Sequence, residues 1–147
     1  MKTRNLLLSV TLMLLSFTSF AQSGWDAHLA KLTSAVKVKA GIFGLDHSQW
    51  AGKSTLILPM DELKFIILGF DKPNDILGSG TKINGTSYKA TKADKTIMVL
   101  KHGRDGAVCY KTAKAVIISK FNEADATPAQ VVTATQKFAD YLKGLGY

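Results

Sequence analysis

The sequence has few of the residues that build covalent or metal-held scaffolds. Cys109 is the single cysteine among 147 residues, so the chain cannot form a disulfide within itself. The histidines His28, His47 and His102 lie on separate segments with no paired ligands near them, so we predict no metal site. Stability must therefore come from packing.

Long apolar runs are missing after the first twenty or so residues. Lys2 and Arg4 precede an apolar stretch that ends in small residues at Ala21, which is typical of a secretory signal peptide cleaved after Ala21. That stretch is too short and too interrupted to span a bilayer of ~30 Å. We therefore predict a signal peptide over residues 1–21, one domain over residues 22–147, a secreted or extracytoplasmic destination, and no stable membrane insertion.

Acidic residues are outnumbered, with 11 Asp and Glu against 19 Lys and Arg, and removing Lys2 and Arg4 lowers the net charge from +8 to +6. The basic residues are spread along the chain, so we predict no nucleic-acid partner. No catalytic spacing is visible. Residues 52–55 resemble the end of a phosphate-binding loop, but His47 stands where that loop needs glycine. We expect no enzyme activity and no cofactor.

Hydrophobic periodicity predicts the first elements. Apolar residues spaced by three and four from Trp25 to Val36 predict a helix. Residues 40–45 and 49–51 predict two strands joined by a turn at 46–48. A second helix is predicted from Pro59 to Phe70.

The later segments predict a meander and a last helix. A loop at Gly78–Gly80 is followed by short strands, with turns at Asn84-Gly85 and at residues 102–106; the strands are predicted at residues 81–83, 86–90, 96–101, 107–111 and 115–121. Thr127 and Pro128 then begin a helix whose end we expect Gly144 and Gly146 to loosen. This order predicts an α+β fold with a central antiparallel sheet and terminal helices.

With that order in place, the residues resemble the profilin family over essentially the whole of residues 22–147. The likeness is carried by residues 24–29, 42–51, 77–88, 111–114, 127–130 and 138–142. The resemblance implies that the N- and C-terminal helices lie on one face of the sheet. It also implies a binding module for actin monomers and for proline-rich peptides in the polyproline II conformation.

The resemblance implies a polyproline-binding surface of aromatic residues, with His28 where many members have tyrosine. By position these are Trp25, His28, Trp50, Tyr141 and Tyr147. Flat rings pack well against the pre-ordered pyrrolidines of polyproline II. The alternative is that Trp25 and Tyr141 are ordinary core aromatics.

The family's actin-binding face is less evident. The early part of the last helix carries Val131 and Val132, where the family often has asparagine or lysine. The actin-binding candidates are Lys101, Arg104, Lys111, Lys114, Thr133 and Lys137. The alternative for these lysines is a solvated edge that discourages aggregation.

A third family trait, binding of anionic phosphoinositides, needs only clustered basic residues. The candidates are Lys31, Lys37, Lys39 and Lys143, and the alternative is that they only aid solubility. We expect a monomer. Two other functions stay open: an exported profilin-fold scaffold that has lost actin binding and binds another protein or an anionic lipid surface, and an extracytoplasmic enzyme or small-ligand protein with a deep pocket.

Overall fold

Seven antiparallel strands form one sheet in the order β2-β1-β7-β6-β5-β4-β3. The computed structural model describes residues 24–147, so the predicted signal peptide lies outside the described residues. The elements in chain order are α1 (residues 24–33), β1 (Lys39–Gly44), β2 (Gln49–Ala51), α2 (Met60–Gly69), α3 (Pro73–Ser79), β3 (Thr81–Ile83), β4 (Thr86–Ala93), β5 (Ile97–His102), β6 (Asp105–Lys111), β7 (Ala115–Asn122) and α4 (Pro128–Gly144).

The central strands are buried on both sides because their side chains alternate between two cores. On the first face, α1 and α4 cover a core that includes Ile42 and Ile117. On the second face, α2 and α3 cover a core that includes Phe43 and Ile118. The predicted α+β class is confirmed, with both terminal helices on one face of the antiparallel sheet.

The sequence-based prediction of a loop at residues 78–80, with no helix just before it, is wrong. Pro73 begins the short helix α3, which includes Gly78 and Ser79, and it buries Ile76 to 1% exposure. Gly80 ends it at a φ of +68°, where a Cβ would meet the Tyr88 carbonyl. The helix is held by this packing, since seven residues of weak propensity do not form a stable helix alone. The turn predicted at 102–106 is also shorter, with only Gly103 and Arg104 outside the strands.

A buried carboxylate ties the second face to the sheet. The Glu62 side chain on α2 is 9% exposed and accepts the backbone N–H groups of Asn84 and Gly85, with N–O distances of 2.5 and 2.8 Å. Both turn residues have positive φ, 51° and 80°, as a tight two-residue hairpin needs. The Asn84-Gly85 turn is thus where predicted, with a cap that the sequence did not reveal.

Helix α4 is fixed at both ends. Thr127 and Gln130 form a reciprocal capping box at its start. At its end, Gly146 N–H donates to the Lys143 carbonyl and Tyr147 N–H to the Leu142 carbonyl, both at 3.0 Å. Gly146 has a φ of +94°, so this is a Schellman motif. The expectation that the glycines loosen this end is wrong, because Gly146 turns the chain back and positions Tyr147.

Within residues 24–147, none of the helices has the length and apolar character needed to cross a bilayer.

Candidate functional site

Five aromatic side chains meet at one end of the first face, where the start of α1, the β1–β2 hairpin and the end of α4 come together. We call this set the aromatic platform: Trp25, His28, Trp50, Tyr141 and Tyr147. Trp25 lies at its centre, with ring-centroid distances of 4.7 Å to Trp50, 4.8 Å to Tyr147 and 5.8 Å to His28. His28 is 5.5 Å from Tyr141. The structure therefore brings together all five predicted residues.

Each ring of the platform is half-buried: one part adjoins the first-face core, and the rest is open to solvent. The alternative that Trp25 and Tyr141 are ordinary core aromatics is thus only partly correct, since neither ring is fully buried. Such rings offer flat apolar area together with polar groups. The arrangement is suited to a ligand that presents flat apolar groups and carbonyl oxygens.

Hydrogen bonds fix the orientation of the rings. The Tyr141 hydroxyl lies 2.7 Å from His28 Nδ1. Trp50 Nε1 donates to the Ser48 hydroxyl at 3.1 Å, and that hydroxyl donates to the Asp46 carboxylate. These bonds from the Ser48 hydroxyl and amide lower the pKa of the Asp46 carboxyl, so it stays ionised at neutral pH.

One further residue joins the segments. The Asp26 carboxylate on α1 accepts the Gly52 N–H at 3.0 Å, and so fixes the helix to the end of the hairpin. Sequence reasoning missed Asp26, Asp46 and Ser48 as supporting residues. The Asp-His-Ser turn carried a usable signal, since an aspartate commonly accepts the amide two residues on.

Two lysines flank the platform. Lys31 Nζ lies 4.9 Å from the centroid of Tyr141, and Lys114 Nζ lies 5.9 Å from that of Tyr147. The Leu45 N–H donates to the Lys114 carbonyl at 3.2 Å, which holds the β6–β7 turn beside the hairpin. From the sequence, Lys31 was a lipid-binding candidate and Lys114 an actin-binding candidate; the structure puts both beside aromatic rings.

The six actin-binding candidates lie in three places. Lys101 and Arg104 are near the β5–β6 turn, where Lys101 pairs with Glu123 at 3.4 Å. Lys111 and Lys114 are at the opposite end of β6, on the platform side. Thr133 and Lys137 line a groove between α4 and residues 35–37.

The four lipid-binding candidates do not form one cluster either. Lys37 pairs with Asp125 at 3.1 Å just before α4 begins, and Lys39 begins β1. Lys143 is in the last turn of α4, about 20 Å along the helix axis from the start of that helix. Lys31 belongs to the platform edge.

The largest cleft on the second face does not have the features of a catalytic centre. It measures about 480 Å³ and is lined by Asp61, Glu62, Phe65 and Thr81 among others. Glu62, its most buried acid, is already engaged with two backbone amides. Burial raises the pKa of Cys109 to about 12, so this thiol is not a nucleophile at neutral pH.

Comparison with known proteins agrees with this architecture. The family model described as Profilin matches residues 23–147. Profilin-A of Physarum polycephalum is 36% identical over 110 residues, 75% of this chain and 86% of the relative. Profilin of Drosophila melanogaster is 34% identical over 116 residues, 79% of this chain and 91% of the relative. The crystal structure of Acanthamoeba castellanii profilin II superimposes with a TM-score of 0.75 at 28% identity, covering 84% of this chain and 99% of that one.

Proposed function

The chain belongs to the profilin family, whose members bind actin and polyproline, and on that premise we propose that its aromatic platform binds proline-rich segments in the polyproline II conformation. Proteins of this family are non-enzymatic, so the chain is not an enzyme. The observation that carries the proposal is the convergence of five half-buried rings from three distant segments.

The physical argument rests on shape and pre-ordering. A polyproline II segment loses little conformational entropy on binding, and its pyrrolidine rings are flat enough to pack against aromatic faces. The Tyr147 hydroxyl and the Trp25 N–H can donate to peptide carbonyls, because neither has a side-chain hydrogen-bond partner among the described residues. Binding on such a shallow surface is weak, roughly micromolar to millimolar.

The test is a titration of residues 22–147 with decaproline, followed by tryptophan fluorescence. Both tryptophans of the chain belong to the platform, so Trp50 still reports in a Trp25→Ala variant. We expect saturable binding that Trp25→Ala weakens by more than about tenfold. Phe65→Ala is the matched control, since Phe65 is an exposed aromatic, 44% accessible, on α2 across the sheet. No saturation in a folded protein, or equal binding by Trp25→Ala, would sink the proposal.

For actin, we propose a face around the β5–β6 turn that includes Lys101 and Arg104. This pair lies away from the platform, so one molecule has room for both ligands. The wild type should slow spontaneous assembly of labelled actin, and Lys101→Glu/Arg104→Glu should remove most of that effect, with Lys64→Glu, at an exposed position on α2, as control. If the wild type leaves assembly unchanged, the scaffold that has lost actin binding is the better account. The separation of the four lipid-binding lysines gives no support for a phosphoinositide site.

For localisation, we propose export directed by residues 1–21. The basis is the sequence pattern of Lys2, Arg4 and the apolar stretch up to Ala21. Expressed from Met1 in a secreting host, the exported protein should have a mass corresponding to a chain that begins at Gln22. Recovery of the full-length chain in the cytoplasmic fraction alone would contradict export.

A further inference from the structure

We propose that the platform selects proline-rich segments flanked by acidic residues, with Lys31 and Lys114 as the specificity-determining residues; this rests on the proposed peptide binding. Both ammonium groups lie against rings of the platform, 4.9 Å and 5.9 Å from the centroids of Tyr141 and Tyr147. Both lysines are exposed. A ligand that covers these rings must therefore approach both positive charges.

Neither ammonium has an acidic partner in the described part of the chain. The ion pairs there involve Lys37, Lys101 and Lys143, and neither Lys31 nor Lys114 is within ion-pairing distance of an Asp or Glu carboxylate. The acids on the platform segments are engaged elsewhere: Asp26 accepts the Gly52 amide, Asp46 accepts from Ser48, and Asp140 pairs with Lys143. An acid brought by the peptide would thus meet two cations that no internal carboxylate neutralises.

The spacing of the lysines sets the length of the segment. They stand at the two ends of a row of rings that runs Tyr141, His28, Trp25, Tyr147, with steps of 5.5, 5.8 and 4.8 Å between centroids. Polyproline II rises ~3.1 Å per residue, so these steps together span at most about five residues, the value reached if the rings lie in a straight line. The geometry therefore fits a run of up to about six prolines with an acid at either end.

Positively charged flanks should weaken binding, because like charges repel. A flanking lysine would be placed beside Lys31 or Lys114 while the aromatic contacts stay unchanged. Exposed ion pairs are weak and screened by salt, so we expect about a threefold difference in affinity between an acid and a lysine at each flank at low salt. The flanks thus tune selectivity while the rings supply most of the binding.

The experiment compares three peptides that share a run of about six prolines and carry Glu, Gln or Lys at both ends. Residues 22–147 are titrated at low salt and at about 0.5 M salt. We expect the Glu-flanked peptide to bind about tenfold more tightly than the Lys-flanked one at low salt, with the Gln-flanked peptide between them. The ratio of the affinities for the Glu-flanked and Lys-flanked peptides should fall towards one at high salt.

Matched variants assign the effect to the two lysines. In Lys31→Met/Lys114→Met the ratio should fall to near one while the Gln-flanked peptide still binds. In Lys64→Met, which removes an exposed lysine from α2, the ratio should persist. Equal affinities for all three peptides, a ratio that survives the double variant, or an equal loss in Lys64→Met would overturn the inference. If the Gln-flanked peptide and decaproline both fail to bind the wild type, the proposed function itself fails.

Discussion

The two faces of the sheet are closed in different ways. On the first face, α1 and α4 cover the core but leave their adjoining ends open as the aromatic platform, whose rings are half-buried. On the second face, α2 and α3 enclose Phe43, Phe70 and Cys109, and the Glu62 carboxylate ties α2 to a hairpin. The first face carries half-buried rings, of which Trp25 and Tyr147 have polar groups without a side-chain partner among residues 24–147, whereas the second face uses the Glu62 carboxylate internally.

We therefore expect binding and stability to be separable in this molecule. Changes on the second face should lower the free energy of unfolding and leave peptide affinity intact. Changes in the platform should lower peptide affinity and leave the free energy of unfolding nearly unchanged. Three measurements test that separation, in order of decreasing effect.

Glu62→Gln should lower the free energy of unfolding by about 1.5–3 kcal/mol, because the amide NH₂ would face a backbone N–H that the carboxylate now accepts. Urea denaturation measures this loss. The adjacent exposed Asp61 supplies the control Asp61→Asn, which should change stability by less than about 0.5 kcal/mol. Decaproline affinity should not change. A parallel loss of affinity in Glu62→Gln would show that the two faces are coupled.

Stability should fall as pH rises above about 9, partly through Cys109. Burial raises the pKa of this thiol to about 12, whereas in the unfolded chain it ionises near 8.5. Between those values the unfolded state loses a proton that the folded state keeps, so unfolding becomes easier by up to about 1.4 kcal/mol per pH unit. Burial also raises the pKa of Tyr88 and Tyr110, which adds a decline in the same direction at higher pH.

Urea denaturation at about pH 8, 9 and 10 measures how the free energy of unfolding falls with pH. In Cys109→Ala this free energy should fall less steeply. Parallel slopes for the wild type and the variant would mean that the thiol is not protected in the folded state. Peptide affinity, measured at neutral pH, should be the same in both proteins.

Tyr141→Phe should weaken decaproline binding by about two- to fivefold, because it removes the hydroxyl that holds the His28 ring in place. The free energy of unfolding should change by less than about 0.5 kcal/mol, since the site is half open to water. Tyr110→Phe removes a hydroxyl on the same face outside the platform and should leave binding unchanged. A stability loss larger than the binding loss would make Tyr141 a structural residue.

The sequence predicted the sheet well because alternation and turn chemistry are local. The strands at residues 49–51 and 81–83 and the Asn84-Gly85 turn lie where expected. Helix α3 was missed because its stability comes from burying Ile76 and from the close approach of Gly80 to Tyr88, which are tertiary effects. The Schellman motif was missed because a glycine near a helix end fits both fraying and a defined turn.

The platform residues were predicted through family resemblance, and helical periodicity alone would have assigned Trp25 and Tyr141 to the core. The flanking role of Lys31 and Lys114 was not predictable, since they are 83 positions apart and meet the same surface only through the fold. Charged surface residues carry no periodic signal that specifies their neighbours. For that reason the six actin-binding candidates lie in three places while the five aromatic candidates meet in one.

The Schellman turn at the end of α4 has a practical consequence for protein engineering. Because Gly146 turns the chain back, Tyr147 is part of the surface on which a ligand is expected to lie. A purification tag or fluorescent label fused after Tyr147 would emerge within that surface and compete with any ligand. A label coupled at an exposed position across the sheet, such as Lys64→Cys on α2, would leave the rings uncovered.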